Sequence, residues 1–438
     1  MSIKETVKNK KVLIWGYGRE GQSTENFLRA FCKPAWIDLF QGTPAELDDT
    51  PYDIIVKSPG IAWRAPEMIP GRPSEYEEKK FAENMARYDR VTAKLTSQTE
   101  LFLSEFSGCC IGVTGTKGKS TTASMLAHVL RKCTDKNVYL VGNIGIPCLD
   151  SYAELIKQDQ ENSIVVFEMS CHQLNFSKWS PHIAVFLNLY EEHLDYYGTV
   201  ENYFRAKSHI ITCQSEDDYA YVGENVPAIE SVSNKQILTH EDMEKAGGPF
   251  KDMQLRLYGV HNRYNAYFVY KIATENYGCD PEKVVREMES FDALPHRMQP
   301  LGEHNGIFWY DDSISTIPEA TMSAAGSIPG AKTLIVGGMD RGISYTVLEN
   351  FMRSRQDLNF VLMYATGRRI YEEIRDEGAL PNVYPTIDLR QAVEAARRVT
   401  PKGMGAVLSP AAASYGDFKN FEERGDVFAQ LVRRDTQS

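Results

Sequence analysis

Between positions 115 and 121 the chain sets two glycines, two lysines and three hydroxyl residues in succession, Gly115-Thr116-Lys117-Gly118-Lys119-Ser120-Thr121. That mixture suits a turn that holds phosphates. Glycines let backbone N–H groups close on an anion, and a following helix adds unpaired donors and its positive end. Lys119 neutralises the outer phosphates, and Ser120 or Thr121 reaches a Mg²⁺. The long form G-x-x-x-x-G-K-[ST] is missed because position 113 is Val, whereas the shorter G-T-x-G-K-[ST] fits throughout.

Such a turn needs a strand in front and a helix behind. Ile111 and Val113 lead in, and residues 123–130 (ASMLAHVL) run on as a helix. The chain then keeps alternating helix and apolar strand, which predicts parallel βαβ units with ligands beyond the carboxyl ends of the strands. Those ends carry Gly142-Asn143-Ile144-Gly145 after residues 138–141, Glu168 and Met169-Ser170-Cys171-His172-Gln173 after 164–167, and Tyr190-Glu191-Glu192-His193 after 183–189. Asn143, Glu168 and His193 are therefore candidate donors around a magnesium phosphate. From a Thr199 cap, a helix places Val200, Tyr203, Phe204, Ile210 and Ile211 on one face, and Lys207 falls on the same stripe. Either its ammonium snorkels to water, or it faces the metal site, where a neutral amine takes up CO₂ as a carbamate.

The first hundred residues hold a second phosphate signature. Residues 11–15 (KVLIW) precede Gly16-Tyr17-Gly18-Arg19-Glu20-Gly21, a G-x-G-x-x-G turn in strand-to-helix context, and a short run, Ala35-Trp36-Ile37, ends at Asp38. A further strand, 53–57, delivers Ser58-Pro59-Gly60-Ile61. A nucleotide diphosphate site follows, whether of NAD, FAD or a UDP-sugar. Residues 214–257 show short strands and charged loops in no legible order. Gly259-Val260-His261-Asn262 opens another helix, Ala293-Leu294-Pro295-His296-Arg297 reads as a hinge, and a third α/β unit begins at 307–310. Its strand ends expose Asp311-Asp312-Ser313, Gly337-Gly338-Met339-Asp340-Arg341 and Ser409-Pro410-Ala411.

A chain of 438 residues is long for one core. Apolar and charged contents of 42% and 24% are those of an ordinary globular enzyme. No apolar run approaches the ~18 residues of a membrane span, and MSIKETVKNK lacks a signal-peptide core, so the expectation is a cytoplasmic protein without a membrane partner. Eight scattered cysteines with no C-x-x-C predict reduced thiols, neither a disulfide framework nor a zinc site. A net charge of −11 disfavours nucleic-acid binding.

Taken together, GTKGKST, GNIG, the E-x-S-x-x-Q of Glu168 to Gln173, EEHLDYYGT, RAKSHI, GVHNRYN, LPHR, DDSIST and LSPAAASYGDFKNFEERG resemble the Mur ligases over nearly the whole chain. These are ATP-dependent amino-acid ligases of peptidoglycan precursor synthesis, and the glutamate-adding branch is the most similar. The resemblance implies three domains: a Rossmann-like UDP-binding domain (1–105), a central phosphate-loop ATPase domain with a mostly parallel sheet (106–298), and a Rossmann-like amino-acid-binding domain (299–438). It implies ligation of glutamate, D-glutamate favoured, to UDP-N-acetylmuramoyl-L-alanine through an acyl phosphate, by a monomer whose partners are small molecules. The alternatives are an L-glutamate-adding relative and a non-catalytic nucleotide-binding regulator.

Residue by residue, the resemblance puts Gly16, Gly18, Asp38, Ser58 and Gly60 on the UDP portion, and Asn143 and Gln173 on the sugar-peptide. Gly115 to Thr121 hold ATP, with Lys119 on the outer phosphates, Asn262 and Asn265 on the nucleotide, Arg297 on the transferred phosphate and Asp312 on the adenosine. Ser120 and Glu168 hold one Mg²⁺; His193 and a carbamylated Lys207 hold a second. Thr316, Ser414 and Phe421 surround the glutamate. Here the chain departs from the family's usual D-S-K-A-T: it reads Asp312-Ser313-Ile314-Ser315-Thr316, with Ile for the expected lysine, and Arg341 is the cation placed to compensate.

Overall fold

The computed structural model describes residues 3–65, 75–142, 147–155, 157, 159–257, 259–292, 294–328, 330–340 and 342–434. Asn143 and Arg341 lie outside them. The chain divides into two units, Met1–Gln254 with Arg263–Ser290, and Leu255–Asn262 with Phe291–Ser438.

The first unit holds two sheets. β1 (Lys11–Trp15), β2 (Trp36–Phe40), β3 (Ile54–Lys57) and β4 (Leu95–Thr96) form a parallel sheet in the order β2-β1-β3-β4. β5 (Cys109–Thr114), β6 (Asn137–Gly142), β7 (Ser163–Glu168), β8 (Ile183–Phe186), β9 (Tyr219–Gly223) and β10 (Asn234–Leu238) form a second, also parallel, in the order β10-β9-β8-β5-β7-β6. β7 and β8 are buried along their whole length, as parallel strands covered on both faces must be, which explains their unbroken apolar runs. Helix Lys119–Cys133 follows β5 and packs against Pro281–Ser290, burying Met125, Leu126, Val129 and Leu130.

The second unit holds β11 (Gln299–His304), β12 (Ile307–Asp311), β13 (Ala331–Val336), β14 (Asn359–Leu362), β15 (Val383–Pro385) and β16 (Gly405–Leu408), in the order β11-β12-β16-β13-β14-β15. Only the β11–β12 pair is antiparallel among the described strands.

Several sequence expectations change in detail. Asp38 does not end its run: β2 continues through Leu39 and Phe40, which pair with Ile14 and Trp15. The mid-strand carboxylate is satisfied by the Tyr52 hydroxyl (2.8 Å) and the Trp36 indole N–H (2.6 Å). The third sheet begins one strand earlier than residue 307, because Asn305 (φ 56°) and Gly306 (φ 80°) take the left-handed conformations of a tight hairpin and fold β11 onto β12. The helix capped by Thr199 stops at Ser208, and Ile210 and Ile211 are buried from the turn that follows. The stretch 214–257 resolves into β9, β10 and helices His240–Lys245 and Pro249–Asp252. No described helix is long and apolar enough to cross a membrane.

Candidate active site

The phosphate loop leaves β5 at Thr114 and enters helix Lys119–Cys133 through Gly118, whose φ of 85° is left-handed. A Cβ on Gly118 would sit 2.8 Å from the Asn265 side-chain oxygen, so the position admits glycine on two counts, conformation and space. Asn265, itself 4% exposed on helix Val260–Glu275, thereby closes one wall of the loop. Asn188 beyond β8 closes another. Its side chain accepts from the Lys117 N–H (2.9 Å) and donates to the Lys117 carbonyl (3.0 Å), and its own carbonyl accepts from the Thr116 N–H (3.0 Å). The Lys117 ammonium reaches out to Glu192 at 2.7 Å.

Two lysines converge inside the turn. Lys119 Nζ donates to the carbonyls of Gly115 and Thr116, both at 2.9 Å, and Lys207 Nζ donates to the same Gly115 carbonyl at 2.8 Å. Lys207 is 1% exposed, so it does not snorkel. Its ammonium lies 4.9 Å from the centre of the Tyr203 ring. Burial, and then repulsion from Lys119, pull its pKa down to about 7, so the neutral amine is well populated at neutral pH. Lys119 is also pulled down by burial, partly offset by attraction from Glu168 and Glu192. Glu168 closes β7 level with Val113 of β5 and is 1% exposed. His193 caps helix Leu194–Tyr197 in a left-handed conformation (φ 57°), a strained backbone of the kind that accumulates at functional sites. Its ring stands 5.1 Å from that of His172 and 5.9 Å from Tyr203. Ser120 and Thr121 occupy the first turn of the helix behind the loop.

Around the G-x-G-x-x-G turn, a Cβ on Gly21 would fall 2.2 Å from the Gly16 carbonyl, which is the close helix-to-strand approach that the third glycine serves. Ser58 Oγ donates to the Gly16 carbonyl at 2.9 Å, and Gly60 follows on the same loop beside open space. Sequence reading missed two groups here. Lys57, 5% exposed, ties its loop together through the carbonyls of Ser58 (3.0 Å) and Ile61 (2.9 Å), and burial brings its pKa down to about 8. Glu20, whose carboxyl burial pushes up, accepts from Gln173 Nε2 at 3.1 Å. Gln173 Oε1 meanwhile accepts from the Ser170 N–H (2.9 Å) in a capping box. Its amide thus joins the glycine-turn helix to the segment after β7.

In the second unit, Asp312 is 3% exposed, receives the Met298 N–H (3.1 Å) and Ser409 Oγ–H (2.8 Å), and is pushed up to about 6 by burial. Asn262 is 6% exposed near the start of its helix. Arg297 lies between His296 (φ 60°) and Met298 (φ 44°), two left-handed residues. The His296 ring bonds Asp311 at 2.7 Å and stands 6.2 Å from Phe421. Thr316 is half-buried just beyond Ser315, and Ser414 is 5% exposed at the end of the loop after β16.

A glycine turn between a parallel strand and a helix, with a lysine at the helix start and a buried carboxylate closing the neighbouring strand, defines a phosphate-loop nucleotide-binding α/β protein. Residues 113–247 match the Mur ligase middle domain. The UDP-N-acetylmuramoyl-L-alanine–L-glutamate ligase of Salinispora tropica is 31% identical over 98% of this chain and 98% of its own. The UDP-N-acetylmuramoylalanine–D-glutamate ligase of Aquifex aeolicus is 30% identical over 96% of this chain and 98% of its own. The MurF ligase of Thermotoga maritima in complex with ADP shares the fold, with TM-score 0.57 at 16% identity over 98% of this chain and 96% of that one. The chain belongs to the Mur ligase family.

Proposed function

We propose that this chain, an ATP-dependent ligase by family, joins D-glutamate to UDP-N-acetylmuramoyl-L-alanine. The substrate's terminal carboxylate attacks the γ-phosphorus of ATP and ADP leaves. The glutamate amine, having lost a proton to solvent, then attacks the carbonyl carbon of the acyl phosphate, and inorganic phosphate departs. The convergence of Lys119 and Lys207 on the Gly115 carbonyl carries this reading, because it sets one cationic donor, Lys119, and a second lysine of lowered pKa at the turn where phosphate charge would be received.

Lys119 holds the outer phosphates, Asn265 fixes the loop, and Lys117 holds Glu192 beside it. Glu168 and Ser120 are hard oxygen donors, one of them a carboxylate removed from water, and this chemistry fits Mg²⁺. They would hold one ion, and His193 with a carbamylated Lys207 a second; when bound, the ions neutralise oxygens of the transferring phosphoryl group. Burial of Lys207 and repulsion from Lys119 favour its neutral amine, the form that reacts with CO₂. Gly16, Gly18, Asp38, Ser58, Gly60, Asn143 and Gln173 serve the UDP-sugar-peptide; Gln173 does so by positioning Glu20. Asn262 serves the nucleotide, Arg297 the transferred phosphate and Asp312 the adenosine, and Thr316, Arg341, Ser414 and Phe421 receive the amino acid. The same reading takes domain limits at 105 and 298, a cytoplasmic location and a monomeric state.

The test is release of ADP and phosphate from purified protein given ATP, Mg²⁺, UDP-N-acetylmuramoyl-L-alanine and D- or L-glutamate in parallel. Release with D-glutamate only when every component is present is the expected result. Steady ATP hydrolysis without the other two substrates sinks the ligase reading, and turnover with L-glutamate alone reverses the enantiomer. A ¹³C-bicarbonate NMR signal lost in Lys207→Met checks the carbamate.

A further inference from the structure

The second unit contains a cation that none of the roles above uses. Arg424, in the first turn of helix Phe421–Arg434, has no exposed surface at all. Its Nε donates to Ser313 Oγ (3.0 Å), one terminal nitrogen donates to the Ser313 carbonyl (2.8 Å), and the other donates to the Ala412 carbonyl (3.1 Å). The Ser313 hydroxyl passes its own proton to the Phe421 carbonyl at 2.8 Å, and the Ser313 N–H donates to Asp311 at 2.9 Å. One planar side chain therefore touches the loop after β12, the loop after β16, and, through Ser313, the start of its own helix. A Cβ on Gly338, in the turn after β13, would meet the guanidinium at 2.9 Å, so that turn also closes against it.

We propose that Arg424 is a positioning residue for the amino-acid substrate. It sets the distance between the loop carrying Thr316 and the loop carrying Ser414, and it fixes the helix start that presents Phe421. A surface arginine bonded this way would be ornamental; one removed from water is held by geometry, because every lost bond leaves a buried donor unsatisfied. Only a forked, planar cation reaches both loops at once, and an ammonium on a lysine stem serves one. Asp311 compensates the charge by attraction, itself anchored by His296.

This inference rests on the proposed glutamate ligation, and its experiment separates the two. Amide hydrogen exchange is measured on wild type, Arg424→Lys and Arg424→Met, with the thermal melt of each. Loss of protection confined to residues 312–316 and 409–414 is expected, with the sheet amides unchanged. In steady state, Arg424→Lys and Arg424→Met raise the KM for the amino acid ~10-fold or more and leave the KM for ATP within about twofold. Added ethylguanidinium lowers the amino-acid KM of Arg424→Ala and not of Arg424→Lys. Equal protection in all variants, or loss of kcat with every KM unchanged and no rescue, overturns the assignment. A wild type that makes no product with either glutamate defeats the ligase reading alone, and exchange still judges the clamp.

Discussion

Lys119 and Lys207 donate to one and the same acceptor, the Gly115 carbonyl, at 2.9 and 2.8 Å. Burial lowers the pKa of both lysines, and the Lys119 charge lowers that of Lys207 further. Replacing Lys207 by Met keeps the shape and removes a buried ionisable amine. The expected outcome is a fall of kcat by ~10² or more from the lost ligand of the second metal ion, with a melting temperature equal to or above wild type. Turnover assays and differential scanning calorimetry check it; a stable, fully active variant contradicts the role.

Gly118 and Asn265 are coupled by space. Gly118→Ala forces a side chain into a left-handed backbone, at about 1–2 kcal/mol, and drives its Cβ against Asn265. ATP affinity should fall ~10-fold or more. Asn265→Ala on top of it relieves the clash, so the double mutant loses less than the two single losses added, which a mutant cycle by calorimetry reads directly.

Asp49 sets an acid limit. Its bond from Arg90 (2.9 Å), aided by Lys94, holds the carboxyl at about 2 although the group is 2% exposed. A depressed acid stabilises the fold above the unfolded value near ~4, and that contribution disappears as pH falls toward ~2. Arg90 is half in water, so Arg90→Ala should lower stability modestly at pH 7 and by about half as much at pH 3. Urea melts at the two pH values measure it.

Asp312 works in the opposite sense. Burial raises its carboxyl to about 6, so the unfolded chain ionises first and stability drops as pH rises from ~4 to ~6. Asp312→Asn lacks this drop. Relative to wild type it should gain about 2 kcal/mol in unfolding free energy between pH 4 and pH 7.5 while losing activity. A pH-independent difference would count against the buried carboxylate.

Much of the site was legible because it is local. G-T-K-G-K-S between an apolar strand and a helix announces a phosphate turn with no knowledge of the partner strands, and the E-x-S-x-x-Q spacing fits the capping box found at Ser170 and Gln173. The hairpin before residue 307 was legible too, in Asn305-Gly306, and was missed because β11 lacks an apolar run. Asp38 was misplaced because a polar residue inside a partly exposed strand looks like its end.

What sequence alone determined was the succession of the strongly apolar strands and their turns, the glycines that those turns require, and the kinds of side chain that follow each such strand. Those follow from backbone conformation and periodicity, which a few neighbouring residues decide. Tertiary structure decided which groups meet. Lys207 reaches a carbonyl 92 residues away, Gln173 finds Glu20 across 153, and Arg424 grips Ser313 across 111. Whether a lysine on an apolar stripe reaches water or a phosphate turn depends on what packs over it. Only the assembled sheets remove the water and supply the carbonyls.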